Sequence, residues 1–207
     1  GLLDHPGTRP LLESLRDEER AVTATMIERG LNSPLTSSMG RFLDAVAALL
    51  GICKRATYEG EPAILLEAAA QRTLESAKPS ELIQEEHAPM WTFDETAGVR
   101  VLDPAPLLEQ LLDGIIAGEP ASKLALFVHA SVAHMTCDVA RDIATDTGIR
   151  STALSGGVFM NRLLLSGIRR GLEQRGLAVL TPHDVPVNDG CIAYGQAAIT
   201  RTVLSRR

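Results

Sequence analysis

Apolar residues recur every three or four positions along most of the chain, the spacing typical of amphipathic helices. In the segment over 61–76, the spacing indicates an inner face formed by Ile64, Leu65, Ala68 and Ala69. Leu11, Leu12, Leu15, Val22, Met26 and Ile27 recur in the same way over 10–30, so that segment is also predicted to be helical. Helices are predicted over 10–30, 39–50, 61–76, 104–117, 122–147, 161–175 and 191–204.

The strand signals are short and occur in two places. Met90–Phe93 and Val99–Leu102 predict a hairpin that turns around 95–98. Ser151–Leu154 is predicted to be a short buried strand, and Ala178–Thr181 a second short strand. Residues 79–89 are polar and are expected to be irregular. The pattern predicts an α/β fold that is predominantly helical and forms one domain over 1–207.

Two adjacent glycines, Gly156 and Gly157, lie between the first of these short strands and a helix. Glycine permits a positive φ and leaves no Cβ in the way of a ligand. Backbone N–H groups and the positive end of a helix dipole then face whatever lies over the turn, which is how proteins cradle phosphates. The alternative is that the glycines only turn the chain, because a lone Gly-Gly pair is a weak signal.

Three polar side chains each have a structural and a functional interpretation. Asp189, in Asn-Asp-Gly before the last helix, either caps that helix or is an oxygen ligand of a metal. Asn161 either caps its helix or hydrogen-bonds a ribose or phosphate. Asp44 either lies exposed on the flank of an apolar helix or points into a cleft. The turns that contain Gly156 and Asp189 follow neighbouring strands, at the edge where α/β proteins bind ligands.

Composition narrows the class of protein. The net charge of −6 argues against a broad nucleic-acid surface, and no apolar run is long enough for a membrane helix. Three widely spaced cysteines support neither a zinc knuckle nor a disulfide framework, which indicates a reduced, cytoplasmic protein. His129 and His134 are five residues apart, which places them on different faces of a helix and argues against a metal pair. The chain opens without Met, so it is expected to be a fragment of a longer multidomain protein.

Four stretches together resemble the C-terminal part of the hydrogenase maturation carbamoyltransferase family, the HypF type. Their order and spacing match from about 29 to 198, which covers most of the chain. The same constellation is similar to the tRNA threonylcarbamoyl transferase subunit and to antibiotic O-carbamoyltransferases. The four stretches are Thr-Ser-Ser-Met-Gly-Arg-Phe-Leu-Asp-Ala-Val-Ala-Ala-Leu-Leu-Gly over 36–51, Tyr-Glu-Gly-Glu-Pro-Ala over 58–63, Leu-Ser-Gly-Gly-Val-Phe-Met-Asn-Arg over 154–162, and Val-Pro-Val-Asn-Asp-Gly-Cys-Ile-Ala-Tyr-Gly-Gln-Ala over 185–197.

The resemblance implies the second lobe of an actin-like ATPase (ASKHA) fold. It also implies that Asp44, Gly60 and Asn161 contact ATP or a carbamoyladenylate, and that Gly156 and Gly157 approach its phosphate. The residue that matches the family's metal-binding Asp is Asp189, and the implied divalent metal is iron or zinc. The family's other metal ligands are histidines in a His-rich motif that this chain lacks. No catalytic residue is assigned.

The resemblance further implies a reaction. The parent enzyme uses carbamoyl phosphate and ATP to make a carbamoyladenylate, and passes the carbamoyl group to the C-terminal Cys of a HypE-type partner protein. One alternative is an O-carbamoyltransferase that acts on a hydroxylated small molecule. The other is a non-catalytic nucleotide-binding or docking lobe, because the metal histidines are missing and the fragment is expected to be inactive alone.

Overall fold

The computed structural model describes residues 2–76, 92–96 and 99–205. The chain divides into two compact units, Gly1–Ser131 and Val132–Arg207. The expectation of a single domain over 1–207 stays a prediction, because two such units can belong to one domain. The predicted irregular segment over 79–89 and the centre of the predicted hairpin turn at 97–98 lie outside the described residues.

Helices dominate both units, as the hydrophobic pattern predicts. Among the described residues, no helix has the length and apolarity needed to cross a membrane. The helices are α1 (Arg9–Leu12), α2 (Asp17–Arg29), α3 (Met39–Leu49), α4 (Glu61–Ser76), α5 (Ala105–Ile116), α6 (Ala121–Thr147), α7 (Arg162–Gln174) and α8 (Ile192–Ser205). The strands are β1 (Thr92–Thr96), β2 (Val99–Asp103), β3 (Ser151–Ala153) and β4 (Ala178–Leu180).

The core of the first unit is made by helices α3, α4, α5 and the first part of α6. Helix α3 begins where predicted, because the Arg41 backbone N–H donates to the Ser38 hydroxyl at 3.4 Å and caps its first turn. The Ala105 N–H donates to Asp103 Oδ1 at 2.9 Å before α5. The buried side chains are Leu43, Val46 and Ala47 of α3, Leu66, Ala69 and Ala70 of α4, Leu107, Leu111 and Leu112 of α5, and Leu124, Ala125 and Val128 of α6.

The predicted inner face of α4 is wrong for three of its four residues. Ile64, Leu65 and Ala68 are exposed, and only Ala69 is buried as predicted. The buried face instead runs through Leu66. Glu67, Gln71 and Glu75 form a polar stripe at four-residue spacing. Ile64 and Ala68 lie on the same side as this stripe, so the full helical pattern favours the face that runs through Leu66.

The predicted helical segment over 10–30 is two helices, α1 and α2, separated by a polar break. The Ser14 hydroxyl donates to the Leu11 carbonyl at 2.6 Å and closes the end of α1. A new start follows, in which the Arg16 N–H donates to Glu19 Oε2 at 3.0 Å. No residue of α2 is buried, so its apolar residues do not form a core stripe.

Both predicted strand pairs form. Strands β1 and β2 are antiparallel, which confirms the hairpin. The predicted turn is too long, because Glu95 and Thr96 belong to β1, and residues 90–91 of the predicted first strand lie outside the described residues. Strands β3 and β4 are parallel and pair Ser151 with Ala178 and Ala153 with Leu180. The expectation that the first of these is a buried strand is wrong, because Ser151 and Ala153 are exposed and only Leu154, just beyond its end, is buried.

The core of the second unit lies between α7 and the last part of α6. Helix α7 buries Leu164, Ile168 and Leu172, while Leu163 is half-buried. Packing is close, because the Cys137 Sγ of α6 lies 3.5 Å from the Ile168 carbonyl oxygen. Burial raises the pKa of the Cys137 thiol, which keeps it protonated and unreactive.

His129 should make the stability of the fold depend on pH. It is 2% exposed in the core of the first unit, with Nδ1 2.7 Å from the Ala125 carbonyl oxygen. Burial lowers its pKa below the ordinary 6.5, against smaller opposing effects from that hydrogen bond and from Glu67. His129 therefore binds a proton more readily in the unfolded chain than in the folded chain. With respect to His129, the free energy of unfolding should keep its full value above pH 6.5 and should decrease as the pH drops below 6.5.

Urea unfolding at a series of pH values from about 7.5 to about 5 measures this dependence. His129→Gln should reduce the slope of unfolding free energy against pH below 6.5. His134→Gln is the matched control, because His134 is on the same helix and its side chain is 70% exposed beside Asp138. An unchanged slope in the His129 variant would contradict the prediction.

Candidate functional site

The glycine turn after β3 has the backbone that the sequence suggests. Gly156 has φ +113° and ψ +156°, a conformation that essentially only glycine adopts. A Cβ at Gly156 would meet no atom within 4 Å, so the backbone angle, and not crowding, requires glycine here. The chain then makes a short 3-10 turn over Gly157–Met160 before α7.

Only part of this turn can offer backbone N–H groups to a ligand. The Gly156 N–H donates to the Val187 carbonyl at 2.8 Å, so it is already used within the protein. This corrects the expectation that both glycine N–H groups face outward. A phosphate contact at this turn would therefore fall to Gly157, which is exposed. The Gly156 bond instead ties the glycine turn to the segment just before Asp189.

Asn161 caps α7, which confirms its structural interpretation. The Leu164 N–H donates to Asn161 Oδ1 at 3.0 Å, and the residue is 8% exposed. A buried cap of this kind stabilises a helix by about 0.5–2 kcal/mol. The cap uses one of the two lone pairs of Oδ1, so a contact between Asn161 and a nucleotide would be additional to it. That contact stays a prediction.

Asn188, and not Asp189, is the cap of the last turn. The Gly190 N–H donates to Asn188 Oδ1 at 3.2 Å, and Asn188 Nδ2 lies 3.2 Å from the Met160 Sδ. The sequence interpretation missed this residue, although Asn is among the preferred capping residues. The cap interpretation of Asp189 is therefore wrong. Asp189 is an exposed residue at the start of the 3-10 turn Asp189–Cys191.

Asp44 is placed unusually for a carboxylate. It lies on α3, with its side chain only 18% exposed, which corrects the interpretation of a fully exposed flank residue. Oδ2 is 3.2 Å from Nη1 of Arg41. Oδ1 is buried and accepts no hydrogen bond from any of the residues that the structure describes. A buried acceptor without a donor costs about 1–3 kcal/mol, and more when it is charged, so this atom is suited to a donor supplied by a ligand.

Gly60 lies just before α4 and also has a backbone that favours glycine. Its φ is +81°, and a Cβ there would meet no atom within 4 Å. The next residue, Glu61, accepts hydrogen bonds from the backbone N–H and the hydroxyl of Thr57. These bonds lower the pKa of Glu61, the backbone N–H contributing most. The turn before α4 is thereby held in one conformation.

The predicted site residues are divided between the two units. Asp44 and Gly60 belong to the first unit, and Gly156, Asn161 and Asp189 to the second. Within the second unit, the Gly156–Val187 hydrogen bond and Asn188 connect the glycine turn to the turn that contains Asp189.

A metal site is not completed by these residues. Across 2–76, 92–96 and 99–205, no group of three His, Cys, Asp or Glu side chains is arranged to hold a metal ion. Asp189 contributes one exposed carboxylate, and a protein site for iron or zinc needs several ligands. The described residues therefore do not fit a metal by themselves.

Comparison with known proteins decides the family. Residues 3–196 match the family model described as "Carbamoyltransferase, Kae1-like Domain, second subdomain". The chain belongs to this carbamoyltransferase family. The match covers both units, so the second lobe of a Kae1-like, actin-like fold is confirmed, as is the HypF-type resemblance.

Named relatives agree with the family. The chain is 38% identical over 184 residues to a carbamoyltransferase HypF homolog of Cupriavidus necator, covering 87% of this chain and 44% of that protein. It is 36% identical over 208 residues to the carbamoyltransferase HypF of Rhodobacter capsulatus, covering 98% of this chain and 25% of that protein. The chain thus spans less than half the length of these relatives.

A solved structure supports the fold directly. The crystal structure of full-length HypF in the phosphate- and nucleotide-bound form matches with a TM-score of 0.83 and 32% identity. The match covers 99% of this chain and 26% of that one.

Proposed function

We propose that this chain is the nucleotide-holding part of a carbamoyltransferase that acts in nickel–iron hydrogenase maturation. The observation that carries the proposal is the Asp44 carboxylate, whose Oδ1 is buried without a donor among the described residues. Family membership supplies the class of ligand, because a HypF relative is described with phosphate and nucleotide bound. The ligand proposed here is ATP or the carbamoyladenylate made from it.

The chemistry of the side chains suggests which part of the nucleotide each would bind. A carboxylate only accepts hydrogen bonds, and a nucleotide offers donors at its ribose hydroxyls and its adenine amino group. Its phosphates are anionic and would be repelled. Asp44 is therefore proposed to bind the nucleoside. Gly156 and Gly157 are proposed to admit the phosphate, with the exposed Gly157 N–H as the donor.

Gly60 and Asn161 are proposed to complete the nucleotide contacts. Gly60 lets the chain pass close to a ligand without a Cβ in the way. The Asn161 carboxamide lies at the start of α7, where the helix dipole favours a negative charge. Asp189 is proposed as one ligand of a divalent metal, whose other ligands would come from outside the described residues.

The proposed transfer uses an external thiolate. The C-terminal Cys of a HypE-type partner attacks the carbamoyl carbon of carbamoyladenylate, so that an S–C bond forms and the C–O bond to the phosphate breaks. AMP leaves with the electron pair of that bond. Residues that hold the adenylate in one orientation accelerate this step by keeping the carbonyl within reach of the thiolate. Carbamoyl phosphate is the proposed source of the carbamoyl group, and the cytoplasm the proposed location.

A chimera tests this function on a complete enzyme. This chain would replace the matching segment of the Rhodobacter capsulatus HypF, to which it is 36% identical. The chimera would be supplied with carbamoyl phosphate, ATP and the acceptor protein, and intact-mass measurement should show one carbamoyl group on the acceptor. An acceptor without its C-terminal Cys should gain none. In the chimera, Asn161→Asp keeps a capping oxygen but adds a charge that repels phosphate, so it should abolish transfer.

Two results would contradict the proposal. One is a chimera that binds ATP and leaves the acceptor unmodified while the parent enzyme modifies it. The other is full transfer by the Asn161→Asp chimera.

A further inference from the structure

Arg41 and Asp44 form an ion pair whose geometry bears on the candidate site. The Arg41 Nη1 lies 3.2 Å from Asp44 Oδ2, one turn further along α3. The two side chains differ in exposure, at 58% for Arg41 and 18% for Asp44. The cation thus lies at the surface and holds the outer oxygen, while the inner oxygen, Oδ1, has no donor among the described residues.

The stability of the helix does not account for this arrangement. Arg41 is the third residue of α3, since its backbone N–H donates to the capping Ser38. A cation in the first turn opposes the helix dipole, which favours anions there. The guanidinium instead offsets the charge of the Asp44 carboxylate, which is only 18% exposed. The same contact fixes the orientation of that carboxylate.

We propose that Arg41 is a positioning residue that fixes the Asp44 carboxylate for nucleotide binding. This inference rests on the proposed function of Asp44. With Oδ2 held by the guanidinium, the carboxylate keeps one rotamer, and Oδ1 stays directed to receive a hydroxyl or amino donor of the nucleotide. Without Arg41 the carboxylate loses that constraint, and ordering it again on binding weakens affinity.

Calorimetric titration of the 207-residue chain with ATP tests the inference through a double-mutant cycle. Arg41→Gln should weaken ATP binding by about threefold to tenfold, and it should also lower the free energy of unfolding, because the partly buried Asp44 carboxylate loses its counter-charge. Arg41→Lys should recover part of the affinity. The double variant with Asp44→Asn should bind no more weakly than Asp44→Asn alone, because Arg41 acts only through that carboxylate.

The matched control is Arg16→Gln. Arg16 and Glu19 are also an arginine and an acid three residues apart, at 3.2 Å, with side chains 74% and 22% exposed. Arg16→Gln should leave ATP binding unchanged.

The affinities for nucleotide analogues distinguish a positioning role of Arg41 from a merely structural role. The probes are 2′-deoxy-ATP, 3′-deoxy-ATP and ITP, each of which lacks one donor of ATP. One of these analogues should lack the group that donates to Asp44. The affinity for that analogue should not change in Asp44→Asn. Arg41→Gln should then have no effect on that analogue either.

Several outcomes would overturn the inference. An additive loss in the double variant would mean that Arg41 contacts the nucleotide itself. Unchanged or tighter binding by Arg41→Gln would mean that the ion pair does not orient Asp44. These outcomes differ from failure of the proposed function, which would appear as unchanged ATP binding by Asp44→Asn.

Discussion

Replacing Gly156 with alanine should abolish ATP binding while leaving the chain folded. Gly156 has φ +113° and ψ +156°, a backbone conformation that residues other than glycine essentially do not adopt. A Cβ there would meet no atom within 4 Å, so the substitution produces no clash that could be relieved by repacking. The turn must change its backbone angles instead, at a cost of about 1–3 kcal/mol. That change would displace Gly157 and break the Gly156–Val187 hydrogen bond.

Gly176→Ala is the matched control for this prediction. Gly176 is in the same unit, follows α7, has φ +73°, and would also place a Cβ in open space. It should therefore lose a similar amount of stability through backbone strain but keep its ATP affinity. Calorimetry and thermal unfolding of both variants separate the two effects. Normal ATP affinity in Gly156→Ala would show that the turn is not part of the nucleotide site.

Replacing Gly7 with alanine should cause a large loss of stability. The Cβ would lie 2.5 Å from the Leu112 carbonyl oxygen and 3.0 Å from the Leu112 Cα, where the short 3-10 turn Pro6–Thr8 packs on α5. All of these are backbone atoms of Leu112, a buried residue of α5, and cannot rotate away. Overpacking of this kind costs typically about 1–3 kcal/mol, and the backbone contact should place Gly7→Ala at the upper end.

Gly114→Ala is the control, because its Cβ would also have a contact at 2.5 Å, but with the Leu124 Cδ2 at the flexible end of a side chain. That side chain can move, and alanine favours the helix over glycine by about 1 kcal/mol. The net loss should therefore be small. Urea unfolding measures both variants, and equal losses of stability would contradict the distinction between backbone and side-chain contacts.

The elements of the fold could be predicted because their signals are local. Ser38 precedes the apolar run of α3 and Asp103 precedes α5, and both accept a hydrogen bond from the backbone of the helix start. The glycine after α7 has the positive φ typical of a helix end. The hairpin and the parallel pair of short strands follow from similar short-range patterns.

Burial was less predictable, because it depends on tertiary packing. In helix α4, Leu66 packs inward and Ile64 outward. The spacing of the apolar residues alone gave the wrong face, because it did not take account of the polar stripe of Glu67, Gln71 and Glu75. The apolar residues of α2 have helical spacing and are still exposed, as Val22 is at 59%. Sequence spacing describes one helix at a time and contains no information on what lies against it.

The sequence indicated which types of residue belong to the candidate site, but not how those residues contact one another. The need for glycine at Gly156 follows from the sequence, but the engagement of its N–H by Val187 is a contact across 31 positions that no local pattern shows. The same holds for Asn188, whose side chain reaches Met160. The partial burial of Asp44 and its pairing with Arg41 also became visible only in the structure.

Titration with ATP of the wild-type chain and of Asp44→Asn tests the central claim most directly. Asparagine keeps the shape of the side chain but removes its charge, and losing a hydrogen bond to a charged group should weaken binding at least about tenfold. Asp17→Asn is the control, because Asp17 is in the same unit with a side chain that is 91% exposed, and it should bind as the wild type does. The wild type and Asp17→Asn should bind ATP with equal affinity, and Asp44→Asn should bind it at least about tenfold more weakly. Equal affinity in the wild type and Asp44→Asn would contradict it.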